Sequence, residues 1–302
     1  LNSRSAINLG DILSVSISQS APSGISTEII LKITDEDGYE YISNIEIIIG
    51  TPIVLAQYDF EESLDWTIGS NDDNATAGIW ELAIPVATSY NGNQAQPGTD
   101  HSENGEKCFI TGAATSPGSV GYDDVDGGKT TLLSPIFDFS DETEVLVSYW
   151  RWYTNNVGDN PGTDRWKVEV TSDNGVSWEI LEDTSQSQNN WVQKTFLLSN
   201  YNIDFTDQVQ FRFIAEDINN IGDTGTGGSI VEAAIDDFTV SSFNTNDSIQ
   251  GDLNDDGQLD VLDVVSMVNI VLSNNFSDLA DMNFDNNCNV LDVVILVNLI
   301  LG

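Results

Sequence analysis

Apolar positions fall into two patterns along this chain. Over most of its length, short runs rich in β-branched and aromatic residues alternate with polar loops. Val209, Phe211 and Phe213 alternate with Gln210 and Arg212, the period-two mark of a strand with one buried face. The same pattern predicts strands at Val145–Tyr153, Trp166–Thr171, Trp178–Leu181, Trp191–Leu198, Val209–Ala215 and Ala233–Val240. It also predicts strands at Ile12–Ser18, Thr27–Thr34 and Tyr41–Ile49, the last two joined by a turn at Asp35–Gly38. No helical period separates these strands, so parallel βαβ folding is not expected. Near the C-terminus the apolar positions gather into two dense blocks, nine of 12 residues over 261–272 and 10 of 12 over 290–301. Both read as helices more apolar than a surface helix, which needs only one apolar stripe. The expected class is mainly β with a small C-terminal α unit. So small a unit cannot bury both helices on all sides. Either the helices cover each other, or a partner or the rest of the chain covers them.

Each helical block follows a loop with oxygen-bearing residues at alternating positions. The first offers Asp252, Asn254, Asp256, Asp260 and Asp263, with the Gln258 carbonyl between; the second offers Asp281, Asn283, Asp285, Asn289 and Asp292, with the Asn287 carbonyl. These are positions 1, 3, 5, 7, 9 and 12 of a calcium loop, and Ca²⁺ takes six to eight oxygens from such a flexible ring. Gly257 and Asn286 stand at position 6, where the chain turns sharply. The segments Asp252–Leu272 and Asp281–Leu301 agree at 11 of 21 positions, 29 residues apart. Two ions are expected here. Cys288, at position 8, is expected to pack inward.

The doubled loop–helix unit over 251–302, with Asp closing each loop, resembles a type I dockerin. That resemblance implies docking onto a cohesin-like module. It also implies that positions 10 and 11 face the partner; here these are the apolar Val261, Leu262, Val290 and Leu291.

Upstream, residues 1–52 look like part of an immunoglobulin-like β-sandwich, the missing strands either removed or supplied by a neighbouring molecule. Residues 53–243 read as a β jelly roll, and 244–250 as a short polar linker. The jelly roll resembles the MAM-like domains appended to secreted bacterial peptidases, especially zinc carboxypeptidases. The resemblance rests on Asp59-Phe60-Glu61, Trp66, Gly78-Ile79-Trp80-Glu81, the run Val125–Leu132, Tyr149–Tyr153 and Ile230–Phe238. It implies a cation held by Asp59, Glu61, Asp236 and Asp237. Asp123, Asp124 and Asp126 form a further acidic cluster, read as either a solvated loop or part of a site. Thr171–Trp178 matches an Asp-box, a structural hairpin staple.

Composition narrows the function. Nine basic residues face 49 acidic ones, a formal charge of −40. Such a chain is repelled by nucleic acid and by anionic membranes, and no apolar run reaches membrane-spanning length. Acidity of this kind suits an extracellular protein that binds divalent cations. Cys108 and Cys288 form no disulfide framework. His101 is the only histidine and lies in a polar loop where solvation is the default. No serine-nucleophile, zinc-protease or phosphate-loop motif occurs, so no enzyme is expected. Trp150, Trp152, Trp166, Trp178 and Trp191 offer either core or a sugar-stacking platform, with core the natural default. The leading expectation is a non-catalytic, secreted or cell-surface, calcium-binding assembly protein whose partner is a cohesin-like module or another copy of itself. The alternatives are an accessory region of a secreted peptidase and a polysaccharide-binding module.

Overall fold

The computed structural model describes residues 17, 21, 23–34, 37–62, 65–118, 120–158, 160–218, 229–243, 250–254, 256 and 258–301. The expected strand at Ile12–Ser18 (apart from Ile17), the linker 244–250 (apart from Gln250) and Gly257 lie outside these residues. The protein is mainly β, with a small C-terminal helical region. Its chain divides into two compact units, Pro52–Phe243 and a second made of Leu1–Thr51 with Asn244–Gly302.

Near the N-terminus, β1 (Ser26–Thr34) and β2 (Glu40–Ile48) pair antiparallel, a two-stranded sheet among the described residues. The hairpin leaves Ile30, Ile33, Tyr41, Ile42 and Ile45 exposed.

The larger unit is a sandwich of two antiparallel sheets. Its strands are β3 (Pro52–Tyr58), β4 (Thr67–Ile68), β5 (Trp80–Ala83), β6 (Ser89–Tyr90), β7 (Asn93–Gln94) and β8 (Cys108–Thr111). They continue with β9 (Gly128–Leu133), β10 (Val145–Gly158), β11 (Trp166–Thr171), β12 (Glu179–Thr184), β13 (Gln188–Leu197), β14 (Gln210–Asp217) and β15 (Ser229–Phe243). One sheet runs β13-β10-β15-β8-β5, with β3 also on β15; the other runs β12-β11-β14-β9-β4. β6 and β7 form a small ribbon apart. On β14 the predicted alternation holds: Phe211 and Phe213 are buried while Gln210 and Arg212 reach the surface side. The core between the sheets is aromatic, with Phe60, Trp66, Phe109, Phe213 and Phe238 meeting edge-on or tilted. At the predicted Asp-box, the Asp173 carboxylate accepts the Ser177 amide at 2.9 Å and the Ser177 hydroxyl at 2.6 Å. Trp178 there lies under the Arg212 guanidinium, 4.0 Å from its ring centre.

Glu182 ties the sheets together. It sits on β12, yet its carboxylate receives Arg151 (2.5 Å) and Tyr149 (3.0 Å) from β10 and Lys194 (2.9 Å) from β13. Trp166 Nε1 donates to it at 3.0 Å from its own sheet. Arg151 is buried, so removing its counter-charge leaves a cation in a low-dielectric interior. Glu182→Leu is therefore expected to destabilise the sandwich by about 3–5 kcal/mol in urea unfolding, far more than loss of the exposed Lys32–Glu40 pair.

The C-terminal unit carries α1 (Val261–Leu272) and α2 (Val290–Leu301), within one residue of the expected blocks. Met267, Ala280, Met282 and Leu296 form its core, and Cys288 packs against them, its Sγ 3.3 Å from the Ser277 carbonyl.

Candidate functional site

In both C-terminal loops, the carboxylates at positions 1 and 12 turn inward. Asp252, Asp263, Asp281 and Asp292 are all buried. Asp263 Oδ1 accepts the amides of Leu253 (2.9 Å) and Asn254 (3.3 Å), and its Oδ2 that of Asp260 (2.9 Å). Asp260 caps α1 through the Leu262 amide, and the two aspartates form a capping box. Asp252 Oδ1 and Asn254 Oδ1 both face the Asp256 amide, and Asp256 Oδ1 holds that of Gln258. The second loop repeats this. Asp281 Oδ1 and Asn283 Oδ1 face the Asp285 amide, Asp285 Oδ1 holds Asn287, Asn289 Oδ1 holds Leu291, and Asp292 Oδ2 holds Asn289. Asn286 takes the sharp turn at φ +64°. Asp292 Oδ1 is buried with no hydrogen-bond partner.

No base within residues 251–302 is available to answer this charge. Residues 251–302 contain nine Asp and no Lys, Arg or His. Burying a carboxylate without a counter-charge is costly, and a hard cation ringed by oxygens removes that cost. The donor set therefore fits Ca²⁺ in each loop.

A second acidic site lies in the sandwich, where a β-bulge re-aims two side chains. Ser148 pairs with Thr239 but Trp150 with Asp236, so β15 carries an extra residue there, and Asp237 sits at φ +48°. In a regular strand the Asp236 and Asp237 side chains would point to opposite faces. Here both reach Ser102: its hydroxyl lies 3.4 Å from Asp236 Oδ1 and 2.8 Å from Asp237 Oδ1. His101 adds its amide to Asp236 (2.7 Å) and its Nδ1 to Asp237 (2.6 Å). The same loop receives Glu61, whose Oε1 accepts the amides of Glu106 (2.8 Å) and Lys107 (2.9 Å). Those amides, Lys107 first, hold the Glu61 carboxyl below its usual range. Asp59 Oδ1 makes a local bond to the Glu61 amide.

Asp100 joins these groups, which sequence reasoning did not anticipate. Burial first, then the charges of Glu61 and Asp237, push its carboxyl up, and its Oδ2 is buried without a partner. A side-chain carbon at Gly105 would stand 2.3 Å from Asp100 Oδ2 and 2.6 Å from Glu61 Oε1, so only glycine lets the two oxygens approach. Burial pushes Asp236 up to about 7. The oxygens of Glu61, Asp100, Asp236 and Asp237 fit a hard cation. Among the described residues no three His, Cys, Asp or Glu side chains already meet in metal-holding geometry. Here and in the C-terminal loops the carboxylates are turned onto backbone amides instead.

The structure corrects one expectation. His101 is not a solvated loop residue: its ring stacks on Trp150 at 3.7 Å and is only 27% exposed. The five tryptophans, for which core was the default reading, do not line up as an open platform. Trp152 and Trp166 are buried, Trp178 is covered by Arg212 and one face of Trp150 by His101. Trp191 turns its edge to Trp152 and donates to the Thr99 carbonyl at 3.1 Å.

No protein-family model matches this sequence, and no curated protein matches it. Among solved structures, the chain is similar to the carbohydrate-binding module TmCBM61 in complex with β-1,4-galactotriose, at 14% identity and a TM-score of 0.33, over 60% of this chain and 91% of that one. It is similar to a xylan-binding domain of family 22, at 8% identity and a TM-score of 0.33, over 63% and 95%. A promiscuous module of the β-sandwich superfamily is similar at 12% identity and a TM-score of 0.35, over 73% and 74%.

Burial also pushes Asp124 and Asp217 up to about 7. With cations chelated, these groups and Asp236 keep their protons when folded up to about 7, and release them near 3.8 when unfolded. The folded chain then holds more protons between those values, so its stability falls as pH rises from about 4 to about 7 and levels off above. Urea midpoints in EDTA across that window check this, and Asp236→Asn is expected to flatten part of the slope.

Proposed function

We propose that this chain is a non-catalytic, extracellular tether, held in shape by calcium, whose C-terminal unit docks onto a protein partner. The supporting observation is a pairing on the same two helices. Each begins on buried aspartates with no base in residues 251–302 to balance them, and each then presents apolar side chains to solvent. On α1 these are Val261, Leu262, Val265, Val268 and Leu272; on α2 they are Val290, Leu291, Val294, Leu299 and Leu301. Positions 261, 265, 268 and 272 share one helix face, as do 290, 294 and 301. An exposed apolar surface on so charged a protein marks an interaction site. The partner is a cohesin-like module or a second copy of this chain.

Light-scattering molar mass and capture on an immobilised type I cohesin module, each in calcium and in EDTA, test this reading. Association in calcium that is lost in EDTA, and lost in the Leu262→Asp/Leu291→Asp variant, is the expected result. A monomer in calcium that no cohesin captures would remove it.

Polysaccharide binding by the sandwich is a second reading, favoured by the partly exposed Trp150 and Trp191 beside His101. Retardation in gels cast with xylan or galactan, abolished by Trp191→Ala, is the outcome it requires; unretarded migration excludes it.

A further inference from the structure

Four buried aspartates lie in one region elsewhere in the sandwich, not yet in metal-holding geometry, and neither proposed site uses them. Asp124 and Asp126 precede β9, Asp217 ends β14, and Asp164 lies two residues before β11; all are at most 4% exposed. Strand pairing gathers them. Asp217 stands opposite Gly128, Trp166 opposite Ala215, and the Val125 amide donates to the Val231 carbonyl at 2.9 Å. Asp217 Oδ2 faces the Gly127 amide at 3.5 Å, and Asp164 Oδ1 accepts the Ile218 amide at 3.0 Å. The charges of Asp164 and Asp126 bear on Asp217, and those of Asp126 and Asp217 on Asp124.

An acidic cluster alone is not a site. Here, however, Asp124 Oδ1 and Asp217 Oδ1 are both buried with no hydrogen-bond partner. The bases on the neighbouring strands are engaged elsewhere: Lys129 with Asp72, Lys167 with Glu216 and Arg165 with Asp183. Asn74 adds a neutral oxygen to the same corner. Its Oδ1 accepts the Lys129 amide at 3.1 Å and lies 2.4 Å from where a side-chain carbon at Gly128 would stand, so only glycine admits it.

We propose that Asp124, Asp126, Asp164 and Asp217 hold a divalent cation, distinct from the one at Asp236 and Asp237. The two places are separated by five residues of β15, from Val231 to Asp236, or roughly 16 Å of extended chain. An all-oxygen donor set with no histidine or thiol selects Ca²⁺ over zinc. The ion gives the unpartnered oxygens of Asp124 and Asp217 a positive partner and draws Asp164 and Asp217 off the backbone amides they now face. It also fastens three loop ends, those before β9 and β11 and after β14, so it locks one rim of the second sheet.

Two measurements on the full chain decide the matter. Crystals soaked in terbium are expected to show an anomalous peak about 2.3–2.6 Å from the Asp124, Asp126 and Asp217 carboxylates. A map with no peak there overturns the proposal. In equilibrium dialysis, Asp217→Asn is expected to lose one calcium per chain relative to the parent and to melt higher than the parent in EDTA, because a buried repulsion is gone. Unchanged stoichiometry overturns the proposal. Asp124→Asn is read in the same way should Asp217→Asn fail to fold, and the terbium map stands independently of either variant.

Discussion

Buried negative charge in excess of buried positive charge is the constraint that shapes this molecule. Among the described residues every base is committed. Lys32, Lys129, Arg151, Arg165, Lys167, Lys194 and Arg212 sit in ion pairs, and Lys107 Nζ donates to the Glu61 carbonyl at 3.0 Å. Arg151 and Lys194 reach the largely covered Glu182 from the opposite sheet and rivet the two together, while Lys167 reaches the buried Glu216 within one sheet. Elsewhere buried carboxylates are left with backbone amides and, at Asp100, Asp124, Asp217 and Asp292, an oxygen with no hydrogen-bond partner. A desolvated anion either takes a proton or recruits a cation. In a chain with 49 acids and nine bases, the proposed calcium sites take the second option.

How much of this was legible in the sequence depended on distance along the chain. The inward turn of the carboxylates in the C-terminal loops was legible because their oxygen-bearing residues recur within 12 positions. β11 could be read to the residue, since Trp166–Thr171 alternates cleanly and is bounded by polar loops. The Asp236–Asp237 pair was visible, but not the bulge that turns both side chains one way, which depends on the register against β10. Asp100 and His101 were hidden for the same reason. His101 meets its partners 135 and 136 positions away, and nothing in a polar loop announces such a contact. The default reading of the tryptophans as core holds at Trp152 and Trp166, while the groups that cover Trp178 and one face of Trp150 come from β14 and the 100–107 loop and were not legible.

The two units use the same chemistry for different ends. In the sandwich an aromatic core and the Glu182 rivet hold the sheets, and the carboxylate sites trim loops at their rims. In the C-terminal unit the core is only a few side chains around Met267 and Leu296, so the loops matter far more. The aspartate that closes each loop also opens the helix after it: Asp263 and Asp292 are third-position residues of α1 and α2. Whatever stabilises the loop therefore fixes the helix start, and with it the exposed Val-Leu pair that follows Asp260 and Asn289.

Hydrogen exchange on the full chain, read by mass spectrometry in calcium and in EDTA, tests that coupling most directly. Slow exchange across 261–272 and 290–301 in calcium, collapsing in EDTA while β10 and β15 remain protected, is the predicted result. Equal protection of both helices in the two buffers would contradict the account.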